Sequence, residues 1–398
     1  MLHPFLLADS EKSGRIDAAR FSGESRMKHF STQFFPKVFG IWAVCLLALG
    51  PTALAQESNP ATETAGQHFK NIQVLKDIPA DELIPTMQFV AGALGVDCEF
   101  CHVQHAMDKD DKKEKQTARK MMEMELGINK SHFHGELEVT CYTCHRGAPH
   151  PVGIPLLSAE TASLPPREHH EAIAKPILPT ADQILDKYLA AVGGKEAMLK
   201  LKTRVQSGTI DAMGQHYPIE IYSEGPDKRV SISHPSFGES VTAFNGQVGW
   251  LSTSRGVHPM SRLENEAARV DAQLHFAARL HELFQAFQVH AGETIDGHAT
   301  VMVAAQGAGL PPVRLYFDEQ SGLLLRQVRF TDTPLGRNPT QIDYADYREI
   351  SGIKIPYQWT LTRTNGSFRI RIQSVEQNVP IDEKLFVMPA PAPPPSHP

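Results

Sequence analysis

Residues 98–102 read Cys-Glu-Phe-Cys-His, and residues 141–145 read Cys-Tyr-Thr-Cys-His. Each stretch sets two thiols three positions apart and an imidazole directly after the second. Covalent attachment of haem c requires that spacing. Two sulfurs on one tight turn form thioethers to the porphyrin edge, and the adjacent His lies under the iron as its proximal ligand. The sequence therefore offers Cys98, Cys101, Cys141 and Cys144 for attachment, with His102 and His145 as iron ligands. The chain holds five cysteines in all, and the remaining one, Cys45, falls within an apolar leader. Two motifs thus consume every cysteine outside that leader.

Three plainer readings fit less well. Two disulfides would suit an exported protein, but they leave a His after each second Cys unexplained. A four-cysteine zinc site usually spaces its pairs by about 15–20 residues, closer than these pairs lie. A thiol redox motif needs a thioredoxin-like βαβ setting, which the flanking sequence lacks.

The far side of each iron decides between electron transfer and small-molecule chemistry. Methionine there fills the coordination sphere and raises the potential; an open position permits chemistry. Ahead of the first motif, Leu83, Met87, Val90, Ala91 and Leu94 recur at helical spacing. Pro85 is expected in the first turn of that helix and Gly95 at its stop. Met87 is the one methionine between the leader and Cys98, so it is the candidate distal ligand of the first haem. Ahead of the second motif, Ala118, Met121, Met124 and Ile128 share a helical face, with an end expected near Gly127. Met121, Met122, Met124, His132 and His134 are the candidates for the second iron. The charged stretch 108–115 between the two halves reads as a solvated loop.

At these residues the chain resembles the cytochrome c subunit of photosynthetic reaction centres, specifically a two-haem short form of that family. The resembling stretches are MQFVAGALGVDCEFCH (87–102), TARKMMEM (117–124) and VTCYTCHRG (139–147). They cover roughly residues 69–149. The resemblance implies a helix before each motif that supplies the distal methionine, Met87 for the first haem and Met121 for the second. The photosynthetic subunit carries four haems, whereas this chain has two attachment motifs. The role implied is general periplasmic electron transfer between a redox donor and a redox acceptor, the partners including a membrane complex.

Outward from the motifs, the 398 residues divide by composition. Residues 1–55 read as an export segment: Lys28 and Lys37 lead an apolar run at 38–49, and Ala53-Leu54-Ala55 is a small-residue site with the cut after Ala55. The run is short of the ~20 residues that cross a bilayer. Residues 56–68 form a flexible leader, 69–149 a small all-α di-haem cytochrome c domain, and 150–179 a proline-rich linker. Residues 180–389 are expected to form an α+β domain, a curved antiparallel sheet packed on helices, followed by a proline-rich tail at 390–398. A helix is expected over 182–199 and another over 263–287. Strands are expected at 219–222, 241–250, 313–317, 323–330, 342–347, 357–361 and 368–374. This region faintly resembles the half-barrel of outer-membrane lipoprotein carriers, through Asp186-Lys187-Tyr188, the run from Asp346 to Pro356, and Pro380-Ile381-Asp382 before Phe386. Such half-barrels can hold lipid chains.

Composition is that of a globular chain, 41% hydrophobic and 21% charged. A formal net charge of -6 with no basic cluster in the mature chain argues against a nucleic-acid binder. Three functions remain in competition: an electron carrier rather than an enzyme, a di-haem peroxidase-like enzyme, and a lipid- or partner-binding module that uses the haems as a redox sensor.

Overall fold

The computed structural model describes residues 63–151, 153, 178–212, 214–236, 238–254, 256–364 and 366–390. The expected export segment with its cleavage site, Cys45, most of the proline-rich linker and the tail from 391 lie outside the described residues.

Among the described residues, 63–150 supply helices α1 (Ala65–His68), α2 (Ala80–Leu94), α3 (Cys98–Cys101), α4 (Lys113–His132) and α5 (Cys141–His145). Two further helices follow, α6 (Ala181–Ala191) and α7 (Gly194–Lys200). Strands β1 (Thr203–Ala212), β2 (Gln215–Glu224), β3 (Lys228–Ser233), β4 (Ser240–Asn245), β5 (Gly249–Thr253) and β6 (Gly256–Pro259) run as a meander. Helices α8 (Arg262–Asp271) and α9 (Phe276–Leu283) interrupt it. The meander resumes with β7 (Ala286–Ala291), β8 (Thr300–Gln306), β9 (Val313–Asp318), β10 (Leu324–Thr333), β11 (Gly336–Ile350), β12 (Ile353–Arg363) and β13 (Gly366–Gln377). All belong to one open antiparallel sheet, ordered β6-β5-β4-β3-β2-β1-β13-β12-β11-β10-β9-β8-β7.

One face of this sheet packs on helices, so its strands alternate in burial. In β9, Val313, Leu315 and Phe317 point inward, and in β8 Val301, Val303 and Ala305 do the same. These side chains meet Ile184, Leu185 and Tyr188 of α6 and Leu280 of α9 in the largest core. Each of the buried valine, leucine, isoleucine and phenylalanine side chains contributes about 1.5–3 kcal/mol relative to exposure.

Hydrogen bonds to a single residue reveal how the sheet bends. Arg229 of β3 donates from Nη1 to the carbonyl of Asp271 at 3.1 Å, and Arg329 of β10 donates from Nη1 to the Asp271 carboxylate at 2.5 Å. In the strand order β3 and β10 stand six steps apart. A flat sheet at about 4.8 Å per step would hold them roughly 29 Å apart, far beyond the reach of two side chains to one residue. The sheet therefore curls around α8.

The helical segment and the sheet share a core as well. Leu335, at the turn between β10 and β11, is fully buried among Leu83, Phe89, Val90 and Met122. The Phe89 ring lies so close to Gly336 that a Cβ there would overlap it.

Several elements depart from the sequence expectations. Pro85 is inside α2 rather than in its first turn, because the helix begins at Ala80. Its missing N–H leaves the Asp81 carbonyl without a helical donor, while the Thr86 hydroxyl donates to the Glu82 carbonyl at 2.7 Å. Gly95 does end α2, in the left-handed conformation at φ 67°. Helix α4 runs through Gly127 to His132, since an isolated glycine weakens a helix without stopping it. The expected helix at 182–199 breaks at Gly193 and Gly194, both at positive φ. The apolar pattern over 263–287 divides into α8, α9 and the start of β7: Phe284, just after α9, is buried in the core under the sheet, and Phe287 belongs to β7. The expected strand at 241–250 is a hairpin, β4 and β5. Strands β1, β3, β6, β7 and β8 were not among the strands expected from the sequence.

Candidate functional site

Each cysteine motif opens with a short helix whose start is fixed locally. Asp97 caps α3, its carboxylate accepting from the Phe100 N–H at 3.0 Å. The approach to α5 is held by Asn129 of α4, which is buried. It donates to the Val139 carbonyl at 2.6 Å and accepts from the Val139 N–H at 3.0 Å. The backbone two residues before Cys141 is thereby tied to α4.

All four cysteines are free thiols. Cys98 and Cys144 are exposed, and Cys101 and Cys141 half-buried. Among the described residues, no group of three or more His, Cys, Asp and Glu side chains is arranged to hold a metal ion.

The two histidines are held alike. His102 Nδ1 lies 2.9 Å from the Met107 carbonyl, and His145 Nδ1 lies 2.9 Å from the Ala148 carbonyl. A carbonyl can only accept, so each Nδ1 is the donor, which leaves Nε2 as the nitrogen turned toward a possible iron. Iron-ligating histidines are oriented in this way, with the far ring nitrogen anchored to a carbonyl. Large apolar side chains stand exposed in the same segment, among them Phe100, Met107, Met121, Met124, Leu137 and Tyr142. A porphyrin would cover surface of this kind. Thiols, oriented imidazoles and uncovered apolar surface together fit covalently bound haem.

The candidate distal ligands are placed as follows. Met87 is half-buried, against the core of the helical segment. On α4 the inward face carries Lys115, Met122, Glu125 and Asn129, whereas Met121 and Met124 are 38% and 49% exposed. Of the expected apolar face of α4, Met121 and Met124 are thus turned to the outside, while Ala118 packs against the core. Helix α2 packs against α5, and α4 packs against both α3 and α5. The two methionine helices and the two motifs form one cluster.

Electrostatics add detail. Burial raises the Glu125 carboxyl to about 7, and its Oε1 has no hydrogen-bond partner. Burial, then Glu125, pushes the Cys141 thiol far above its usual range, and Cys141 Sγ donates to Glu125 at 2.9 Å.

The charged stretch 108–115 is largely solvated, as expected, but it also carries a hydrogen-bond network. Asp110 accepts from Arg119 Nη1 and Nη2 at 2.9 Å each and from Asn71 Nδ2 at 2.9 Å. Lys115, buried, donates to the carbonyls of Met107 at 2.8 Å and Lys109 at 2.7 Å. The Met107 carbonyl that Lys115 pins is the one that orients His102. Sequence reading missed this network, whose only signal was a dense charge run beside the motif.

Hydrogen bonds from Arg119, then from Asn71, hold the Asp110 carboxyl well below the ordinary carboxylate range. A depressed folded-state value stabilises above the unfolded pKa, about 4, and is lost progressively as pH falls below it. Asp110→Asn should therefore lower thermal stability at pH 7, and the gap from the unsubstituted protein should narrow as pH drops below about 4. Melting curves across that range check this; a gap constant with pH would refute it.

Cys-x-x-Cys-His is the attachment motif of c-type cytochromes, and comparison with known proteins points to the same class. Residues 48–176 match the family described as photosynthetic reaction centre cytochrome C subunit, and this part of the chain is similar to that family. The photosynthetic reaction center cytochrome c subunit of Thermochromatium tepidum is 38% identical over 104 residues, 24% of this chain and 26% of the relative. That of Rubrivivax gelatinosus is 34% identical over 111 residues, 25% of this chain and 30% of the relative. Cytochrome c-554 of Chloroflexus aurantiacus is 31% identical over 132 residues, 27% and 32%. The chain thus spans about a quarter to a third of the length of these curated relatives. Among solved structures, a LolA superfamily protein from Nitrosomonas europaea aligns over 53% of this chain and 98% of its own, at 13% identity and TM-score 0.38. A DUF1329 family protein from Desulfovibrio piger aligns over 52% and 96%, at 12% identity and TM-score 0.37. Scores of this size leave the sheet to be read from its own residues. No described helix is long and apolar enough to cross a membrane.

Proposed function

We propose that this chain is an exported, periplasmic di-haem c-type cytochrome that carries electrons between a redox donor and a redox acceptor. The observation that carries the reading is the repeated anchoring of an imidazole Nδ1 on a backbone carbonyl, His102 on Met107 and His145 on Ala148, directly after a pair of free thiols. Cys98 and Cys101 would hold the first haem and Cys141 and Cys144 the second, with His102 and His145 beneath the irons. Bound haem supplies reversible one-electron chemistry. The protein's part is to fix the tautomer and direction of each imidazole and to keep both attachment turns rigid through Asp97 and Asn129.

Met87 and Met121 are the proposed distal ligands. Met121 stands on an exposed apolar face of α4, which suits a side chain whose partner is a cofactor rather than the core. Methionine at both irons favours a carrier over a peroxidase-like enzyme, which needs one displaceable position. Residues 69–149 would form the haem domain and 180–389 a docking or binding domain, after export with cleavage following Ala55.

Production with a cytochrome maturation system and export gives the test. Pyridine haemochrome assay is expected to yield two haems per chain. The oxidised spectrum is expected to contain a methionine–iron charge-transfer band that weakens in both Met87→Ala and Met121→Ala. Colourless protein, or protein holding zinc, would end the reading. A band that survives Met121→Ala would move the second ligand to Met124, His132 or His134.

A further inference from the structure

The turn between β10 and β11 is unlike an ordinary hairpin tip. Such tips lie at the surface and carry polar residues, yet Leu335 at this one is fully buried. It sits in one core with Phe89 of α2. The turn itself is fixed, the buried Thr333 hydroxyl donating to the Gly336 carbonyl at 2.6 Å. Gly336 presses on the Phe89 ring and leaves no room for a Cβ.

A second turn, between β12 and β13, meets the same helix. Gly92 of α2 packs on Thr364 so tightly that a Cβ would overlap that side chain. Toward the start of α2, Glu82 pairs with Arg262 of α8 at 3.0 Å. With 3.6 residues per turn, Glu82, Phe89 and Gly92 stand about 140–160° round the helix axis from Met87. Met87 shares the opposite side with Leu83 and Leu94. Between the packed points, Asp81 and Pro85 of α2 line a cavity of about 790 Å³, which Arg204, Arg229 and Arg329 line from the strands. Open space backs α2 there, so the packed turns carry its position.

A ligand side chain serves a site only while its own backbone is held in place, and loosening of the supporting residues moves it off the productive geometry. Close packing supplies that hold, and truncating a buried leucine leaves a gap that the surroundings fill only in part.

We propose that Leu335 is a positioning residue for Met87: the β10–β11 turn braces α2 from behind and keeps the methionine sulfur at the first haem. The sheet thereby completes the haem site, whatever else it binds. This rests on Met87 as the first distal ligand, and the test separates the two.

The test uses the full haem-loaded chain. The part of the methionine–iron band that Met87→Ala removes is the first haem's share. Leu335→Ala is expected to keep two haems, since no thioether residue changes, and to lose much of that share. Added imidazole should displace the methionine at the first iron about tenfold more readily or better, because even a fraction of a full Leu→Ala packing loss moves an equilibrium that far. Leu335→Val, a smaller truncation, should fall between. Leu335→Met, which nearly conserves volume, should keep the band. Leu315→Ala is the control, because Leu315 is equally buried but lies in the core of the sheet and its own helices. It should lower the melting temperature by a similar amount and leave band and imidazole affinity unchanged. Loss of the band in Met87→Ala, with band and imidazole affinity unaltered in Leu335→Ala and Leu335→Val, overturns the positioning role alone. Equal shifts in Leu315→Ala and Leu335→Ala also overturn it, since general loosening then explains both. A band untouched by Met87→Ala overturns the ligand assignment and the positioning role together.

Discussion

Cys144→Ala is expected to leave one haem per chain. Cys144 is exposed, so its removal takes nothing from the core. The imidazole anchor of His145 on the Ala148 carbonyl does not involve it either. What disappears is one of two thioethers at the second turn, and with it the paired-sulfur attachment that the maturation chemistry reads. The first turn, capped by Asp97 and built on Cys98 and Cys101, is untouched. Haemochrome assay and intact mass should both report the loss of one haem, with melting behaviour of the sheet unchanged. Two haems retained in the variant would break the assignment of the second motif.

Gly95→Ala is expected to destabilise the chain by about 3 kcal/mol, while Gly127→Ala stabilises it. Gly95 sits at φ 67°, where an L side chain costs about 1–2 kcal/mol. A Cβ there would also overlap the Gly147 carbonyl. The displaced Gly147 N–H would lose its bond to the Ala93 carbonyl, now 2.9 Å, a further loss of about 1 kcal/mol. Gly95 stands three residues before Cys98 and Gly147 two after His145, so this crossing joins the two motifs. Gly127 lies within α4 with nothing within 4 Å of a Cβ. Alanine should gain about 0.5–1 kcal/mol there through helix propensity. Thermal unfolding should show a drop of roughly 6–12 °C for Gly95→Ala and a small rise for Gly127→Ala. Equal effects at the two glycines would mean that the Gly95–Gly147 crossing does not hold the motifs together.

The chemistry of the site was legible in the sequence because its constraint is local. Thioether attachment needs two sulfurs three residues apart and a neighbouring imidazole, all within one turn, and Cys98 to His102 carries that information unaided. The same holds for Gly95, whose stop signal depends on one residue's φ. The later strands β9 to β13 were partly legible, since alternation is a period-two signal within each strand.

The rest was not local. Helix α4 presents Met121 and Met124 outward, and periodicity alone cannot say which side of an apolar stripe meets protein and which meets a cofactor. The division of 263–287 into α8, α9 and β7 depends on Phe284 entering a core supplied by strands far along the chain. The Met107 carbonyl that turns His102 is pinned by Lys115 through a loop, and nothing in a charge run announces such a geometry.

The sequence by itself singled out Cys98, Cys101, Cys141 and Cys144 as the proposed attachment residues and His102 and His145 as the proposed iron ligands, because thioether attachment acts over a single turn. Only the tertiary structure decided the anchoring of those imidazoles, the crossing of Gly95 and Gly147, and the gathering of Arg204, Arg229 and Arg329 in one cavity. The imidazole anchors are short in sequence, five residues at His102 and three at His145, but depend on the path the backbone takes after each motif. The glycine crossing and the arginine cluster join segments distant in sequence, and for the arginines it is the curl of the sheet, which no local pattern encodes, that brings them together.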